Sequence, residues 1–202
     1  AAQPTEAPTQ QAQTTQAAPT EQPTPEPDPV QQLLEEMTLE QKVGQFFLVR
    51  PDSLDLSQTQ DQINDAKADG VTELTDAMRQ TLAEYPVGGV VIFGKNLESP
   101  QQITQFLDDL QQASDTPLFT AIDEEGGLVA RLANNAAFDL PQYESAAAVG
   151  TSGNPEDARA MGRTIGGYLK EYGFNLDFAP VADVNTNPDN PVIGTRAFSS
   201  EP

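Results

Sequence analysis

The sequence has no cysteine, no histidine and no tryptophan in 202 residues. Without thiols or imidazoles there is no disulfide framework, no cysteine nucleophile, no Ser/His/Asp triad and none of the usual zinc sites of thiolate and imidazole. Acid–base chemistry in this chain falls to carboxylates, lysine or tyrosine. Basic residues are scarce as well: 10 Lys and Arg stand against 31 Asp and Glu, a formal net charge of −21. That field repels phosphate backbones and anionic membrane surfaces, so nucleic acid is not an expected partner. Long apolar runs are missing too. The longest, within Pro86–Gly94, is far below the roughly 20 residues of a membrane helix, so no membrane span is expected. The lack of cysteine suits a reducing cytoplasm and an exported bacterial protein equally, and decides nothing about compartment.

Residues 1–29 contain only Ala, Gln, Pro, Thr, Glu and Asp. A segment with no large apolar side chain cannot offset the entropy of ordering, and it reads as a disordered, partly polyproline tether. Such a stalk suits a spacer that holds a domain away from a cell surface. The opening Ala1-Ala2-Gln3 reads as the end left by signal-peptide removal. Both features lead us to expect an extracytoplasmic protein, secreted or cell-surface tethered, with its folded domain over residues 30–202.

From Val30 onward helical and strand periods alternate. Leu33, Leu34 and Met37 suit a short helix, and Thr38 with Gln41 forms a capping-box pattern. The apolar run Phe46–Val49 stops at Arg50-Pro51, and residues 52–70 read as a polar, acidic inserted loop. Leu74, Met78, Leu82 and Tyr85 recur at helical spacing, and Val90–Phe93 is continuously apolar, like a strand buried on both faces. Ser99, Pro100 and Gln102 then open a helix with a capping box, whose apolar face is Ile103, Phe106, Leu107 and Leu110. Leu118–Ile122 is a further strand. Asn154-Pro155 starts a helix bearing Ala158, Met161, Ile165, Leu169 and Tyr172, which Gly173 stops, and Leu176–Val181 follows as a fourth strand. Short buried strands alternating with helices imply parallel βαβ units and an α/β fold.

Polar residues collect where these strands end: Arg50, Lys95 and Asn96, the run Asp123-Glu124-Glu125-Gly126-Gly127, and Asp183 with Asn185. In barrels and doubly wound sheets alike, ligands bind at that face. The Asp123 cluster, expected in a glycine-bearing loop, is suited to accept hydrogen bonds from sugar hydroxyls, to bind Mg²⁺, to serve as general acid or base, or to be a solvated acidic turn. Asp123 is the first residue past the strand, so its side chain is the one expected to enter the mouth. Arg131 follows eight residues later, as a ligand for substrate or as a surface ion pair. Arg196 is placed either to clamp hydroxyls or a carbonyl, or to pair with Asp183 or Asp189. Lys95 lacks any neighbour in sequence that would depress its pKa for Schiff-base chemistry.

Four stretches together carry a resemblance: Leu34–Gln45, Gly88–Asn96, Ile122–Arg131 and above all Asp177–Phe198. In this order they resemble glycoside hydrolase family 3. The Asn-Pro-x-Asn-Pro-x-Ile-Gly-x-Arg-Ala-Phe form of the last stretch is similar to the β-N-acetylhexosaminidase branch rather than the β-glucosidases, which stay as an alternative. The resemblance covers about Val30–Pro202 and implies the N-terminal half of a (β/α)8 TIM-type barrel. It also implies release of terminal, non-reducing β-linked N-acetylhexosamine from cell-wall or chitin-type sugars, with retention, through a covalent glycosyl-enzyme and with no metal or other cofactor.

Position by position, the resemblance makes Asp123 the carboxylate that holds the sugar beside the scissile bond, and Arg131 and Arg196 substrate-contacting arginines. Asp183 and Glu125 become supports. Leu128 departs from the branch, which has arginine after the two glycines. The family's Lys-His motif, its His-Asp acid/base pair and its aspartate nucleophile all lie beyond Arg-Ala-Phe, so no catalytic residue is assigned in this chain. Residues 30–202 are also fewer than the about 250 of a complete barrel. The expectation is therefore a piece of a longer enzyme that alone is poorly folded or aggregation-prone, and inactive; a non-catalytic carbohydrate-binding or interaction module is the alternative.

Overall fold

The computed structural model describes residues 28–202, so the tether expected over 1–29 lies almost wholly outside the described residues. The chain divides after Glu36. In the first unit Asp28 caps a two-turn helix, α1 (Pro29–Glu36), by accepting the Val30 N–H at 2.9 Å. Its apolar side chains Val30, Leu33 and Leu34 are exposed.

The second unit, Met37–Pro202, holds the sheet. Helix α2 (Leu39–Gly44) starts at the reciprocal capping box of Thr38 and Gln41. Strand β1 (Leu48–Val49) follows, then one 3₁₀ turn (Pro51–Leu54), α3 (Gln60–Asn64) and α4 (Asp76–Glu84). Strand β2 (Gly89–Ile92), α5 (Pro100–Ala113) and β3 (Phe119–Ile122) come next. The chain then forms a hairpin of β4 (Glu124–Gly126) and β5 (Val129–Ala130), two helices, α6 (Ala146–Thr151) and α7 (Pro155–Glu171), and β6 (Leu176–Asp177).

The four strands β1-β2-β3-β6 are parallel, and each lies beside its predecessor in the sheet. A doubly wound sheet reverses its strand order at a switch point; this one does not, as in a singly wound (β/α)8-type barrel. Val90, Ile92 and Ala121–Ile122 are fully buried in it. The α5 residues Ile103, Phe106, Leu107 and Leu110 and the α7 residues Met161, Ile165 and Leu169 cover it. For α5 and α7 the helical periods read in the sequence therefore mark the faces that pack, whereas Leu33, Leu34 and Tyr85, read in the same way, are exposed. Among the described residues no helix is long and apolar enough to cross a membrane.

Several local expectations are corrected. Phe46 and Phe47 are not strand residues: they turn out of α2 and are 86% and 56% exposed. The strand expected over 176–181 ends at Asp177. The Phe178 N–H still donates to the Ile122 carbonyl at 2.9 Å, but Pro180 has no N–H to continue a ladder. At Ser99 the hydroxyl caps Gln102, yet the Gln102 side chain does not return to Ser99. It accepts from the Glu98 N–H and donates to the carbonyls of Thr72 and Asn96. Helix α6, rich in alanine and only six residues long, gives no periodic signal.

The largest correction is at residues 52–70, which are neither unstructured nor wholly solvated. Asp52 is fully buried. It accepts from the Val71 N–H at 3.1 Å and from Asn96 Nδ2 at 3.0 Å, and its carboxylate lies 3.2 Å from Lys95 Nζ. Lys95 also donates to the carbonyls of Gln62 and Ile63, so the insertion is tied to the end of β2. This occupies the ammonium protons of Lys95 and leaves no free amine for a Schiff base. Removing one member of such a pair leaves an uncompensated buried charge. Asp52→Ala should cost about 3 kcal/mol or more in urea denaturation; a change below about 0.5 kcal/mol would show that the network is dispensable.

Candidate functional site

The strand ends bring Arg50, Phe93, Asp123 and Asp177 to one rim of the sheet. The carboxylate run after β3 is not the loop that its glycines suggest but the first strand of the β4–β5 hairpin, with Glu124 opposite Ala130 and Gly126 opposite Val129. The glycines make its turn: φ is 83° at Gly126 and 72° at Gly127, and a Cβ on Gly126 would collide with Met161.

Because successive strand residues face opposite ways, the three carboxylates separate. Asp123 accepts from Arg131 Nη2 at 2.9 Å, with both side chains part-exposed at the rim. Glu125 forms a two-pronged pair with Arg196, 2.6 Å from Nη2 and 2.8 Å from Nε, and is almost completely buried. Glu124 turns inward, where it is fully buried. Its Oε1 accepts from the Ala133 N–H at 2.9 Å and from the Tyr168 hydroxyl at 2.8 Å, and its Oε2 accepts from the Leu132 N–H at 2.8 Å.

Three carboxylates aimed at three different partners do not form a metal cage, and no cluster suited to a metal ion occurs among the described residues. Nor is the run a solvated acidic turn. Two of its members hold arginines at the mouth, and the third fastens the segment that carries one of them.

Of the residues expected at the site, Asp123, Arg131, Glu125 and Arg196 are brought together, in two neighbouring ion pairs. The partner of Arg196 is Glu125, not Asp183 or Asp189. The Glu125 carboxylate and the other acids nearby raise the Arg196 pKa. Asp183 is exposed and makes no hydrogen bond or ion pair among the described residues, so it is no strand-end support. Its charge reaches Arg196 only through space.

Two functional neighbours escaped sequence reasoning. Tyr168 lies on the same face of α7 as Ile165 and Leu169, and its position in that apolar stripe was the available signal. Burial beside Glu124 drives its hydroxyl pKa far up, so it stays a donor. Asp177, at the end of β6, accepts from the Glu124 N–H at 2.9 Å. Burial, together with the neighbouring Glu124, Asp123 and Glu125, pushes its carboxyl up to about 6 against that one favourable hydrogen bond.

A raised carboxyl pKa means that the folded state holds the proton more tightly than the unfolded chain. Its stabilising effect is complete below the ordinary value of 3.8 and is lost as pH rises through about 6. An asparagine at this position keeps an oxygen for the Glu124 N–H and has no charge to bury. Asp177→Asn should therefore raise the melting temperature at about pH 7.5 and change it little at about pH 4. Equal shifts at both pH values would remove the charge penalty.

A profile described as "Glycosyl hydrolase family 3 N terminal domain" matches residues 38–202. The chain is 36% identical over 137 residues to beta-hexosaminidase A of Pseudoalteromonas piscicida, covering 65% of this chain and 23% of that one. It is 33% identical over 135 residues to a beta-hexosaminidase of Thiobacillus denitrificans, covering 65% and 37%. Among solved structures, a family 3 beta-N-acetylglucosaminidase from Paenibacillus superposes with a TM-score of 0.65 at 34% identity, covering 80% of this chain and 27% of that one. A beta-N-acetylhexosaminidase from Beutenbergia cavernae gives 0.60 at 25% identity, covering 81% and 46%. The chain thus spans less than half the length of these relatives.

Proposed function

The chain belongs to glycosyl hydrolase family 3, through its N-terminal domain, and on that basis we propose that it is the sugar-holding part of a retaining β-N-acetylhexosaminidase. The substrate is a terminal, non-reducing β-linked N-acetylhexosamine on a cell-wall or chitin-type glycan. The observation that carries this reading is the pair of carboxylate–guanidinium couples at the strand ends, Asp123 with Arg131 and Glu125 with Arg196. Each couple presents acceptor oxygens and donor N–H groups in a fixed array, which suits the alternating needs of sugar hydroxyls. The names of the relatives, beta-hexosaminidase and beta-N-acetylglucosaminidase, support the choice of sugar.

The same pairing argues against a catalytic role for these carboxylates. A retaining glycosidase needs two carboxyl-type groups about 5 Å apart flanking the bond, one to attack and one to donate a proton. Asp123 and Glu125 are each neutralised by arginine, Glu124 accepts three hydrogen bonds in the interior, and Asp177 is turned to a backbone N–H. These groups bind and orient. The nucleophile and the acid/base are supplied by other residues of the enzyme, and the 202-residue chain has no hydrolytic activity of its own. The composition of residues 1–29 supports an extracytoplasmic, tethered location.

For the purified chain, incubation with an aryl N-acetyl-β-glucosaminide should release no phenol above the rate of a blank; turnover would overturn the assignment of the carboxylates to binding. In the complete protein N-acetylglucosamine should bind in isothermal titration, and Asp123→Ala should weaken that binding about tenfold or more, the effect of losing a hydrogen bond to a charged group. Unchanged affinity would reject Asp123 as a sugar ligand. Binding without turnover in the complete protein would favour a carbohydrate-binding module instead.

A further inference from the structure

A cleft of about 370 Å³, lined by Arg50, Asn64, Phe93, Lys95 and Arg131, adjoins the Asp123–Arg131 couple through Arg131. In a chain with a net charge of −21, three of its 10 basic residues meet at this one cleft. Lys95 is spent on Asp52 and two carbonyls, whereas each arginine makes one hydrogen bond and keeps further N–H donors. Arg50 follows β1 and has no carboxylate partner among the described residues. Its Nη1 donates to the Ile63 carbonyl at 2.7 Å, and the guanidinium lies 4.3 Å from the centre of the Phe93 ring. Arg131 approaches the same ring at 5.6 Å and gives one nitrogen to Asp123, while its Nε–H is buried with no hydrogen-bond acceptor.

Two guanidinium groups held against one ring repel each other. A small oxyanion in the cleft relieves that repulsion, because its oxygens match the fork of guanidinium donors. Phe93 keeps the two forks in place before a ligand arrives. The overall negative field repels polyanions, so the cleft suits a single charged group on an otherwise neutral molecule. The geometry points to a subsite in which Arg50 and Arg131 hold an oxyanion, a carboxylate, sulfate or phosphate, carried by the sugar bound at Asp123. This inference rests on the sugar-binding reading above and adds to it a class of substrate, the acidic amino sugars, with Arg50 as the residue that selects them.

The test is isothermal titration of the complete protein with N-acetylglucosamine, its 6-phosphate, its 6-sulfate and N-acetylmuramic acid, with inorganic phosphate alongside. At least one acidic sugar should bind about tenfold more tightly than the neutral one, the scale of a charge-assisted hydrogen bond, and the best of the three identifies the oxyanion. In Arg50→Met, which keeps an apolar stem on Phe93, the ratio of acidic to neutral affinity should fall to about one. Should that variant lose its cooperative melt, the same ratio in the unmodified protein decides, since it should shrink as sodium chloride is raised. Equal binding of neutral and acidic sugars overturns the subsite and leaves the sugar site standing. Inorganic phosphate binding as tightly as the sugar phosphate also overturns it, as adventitious ion binding only. Failure of every sugar to bind overturns both.

Discussion

The mouth of this half-barrel depends on one carboxylate that faces away from it. Glu124 is fully buried and satisfied by the Leu132 and Ala133 N–H groups and the Tyr168 hydroxyl, and its own N–H is held by Asp177. These bonds tie the β4–β5 hairpin to α7 on one side and to β6 on the other. They also fix the backbone immediately after Arg131. A buried carboxylate is tolerated only when hydrogen bonds replace its lost hydration, so the hairpin has little freedom to shift. Asp123 and Glu125 flank Glu124 in sequence and inherit its rigidity while pointing elsewhere.

A second constraint is the scarcity of positive charge. Of 10 basic residues, Lys95, Arg131 and Arg196 are placed in ion pairs at the strand ends. Surface pairs such as Arg159–Glu156 contribute little. The pairs at the rim sit against a rigid sheet and lose less entropy on forming, so they serve as fixed arrays for recognition. The same rigidity explains why Phe93 keeps Arg50 and Arg131 close together despite their mutual repulsion.

The regular elements were legible where a cap and an apolar period coincided, as they do not at α3, whose Thr59–Gln62 capping box opens a helix in a stretch that reads as a polar loop. Ser99-Pro100 opened α5, Asn154-Pro155 opened α7, and their apolar stripes are the buried faces. Legibility failed where burial was decided at a distance. Asp52 lies in a polar stretch and looks solvated, yet Val71, Lys95 and Asn96 enclose it. That Asp123, Arg131 and Arg196 gather beyond the strand ends was legible through motif and position. The partner of Arg196 was not, because Glu125 lies 71 residues away and no local pattern encodes that distance.

The sequence by itself determined the class of fold, which follows from residue type and short-range spacing, and its motifs carried the resemblance to the family. Only the tertiary structure decided which carboxylate faces which arginine, that Glu124 turns inward while its neighbours face the mouth, and that Lys95 is spent on Asp52. Strand alternation sends adjacent side chains in opposite directions, but which direction is buried depends on what the sheet and α7 bring to each side. That information resides in contacts between segments far apart in the chain, and only folding brings those segments together.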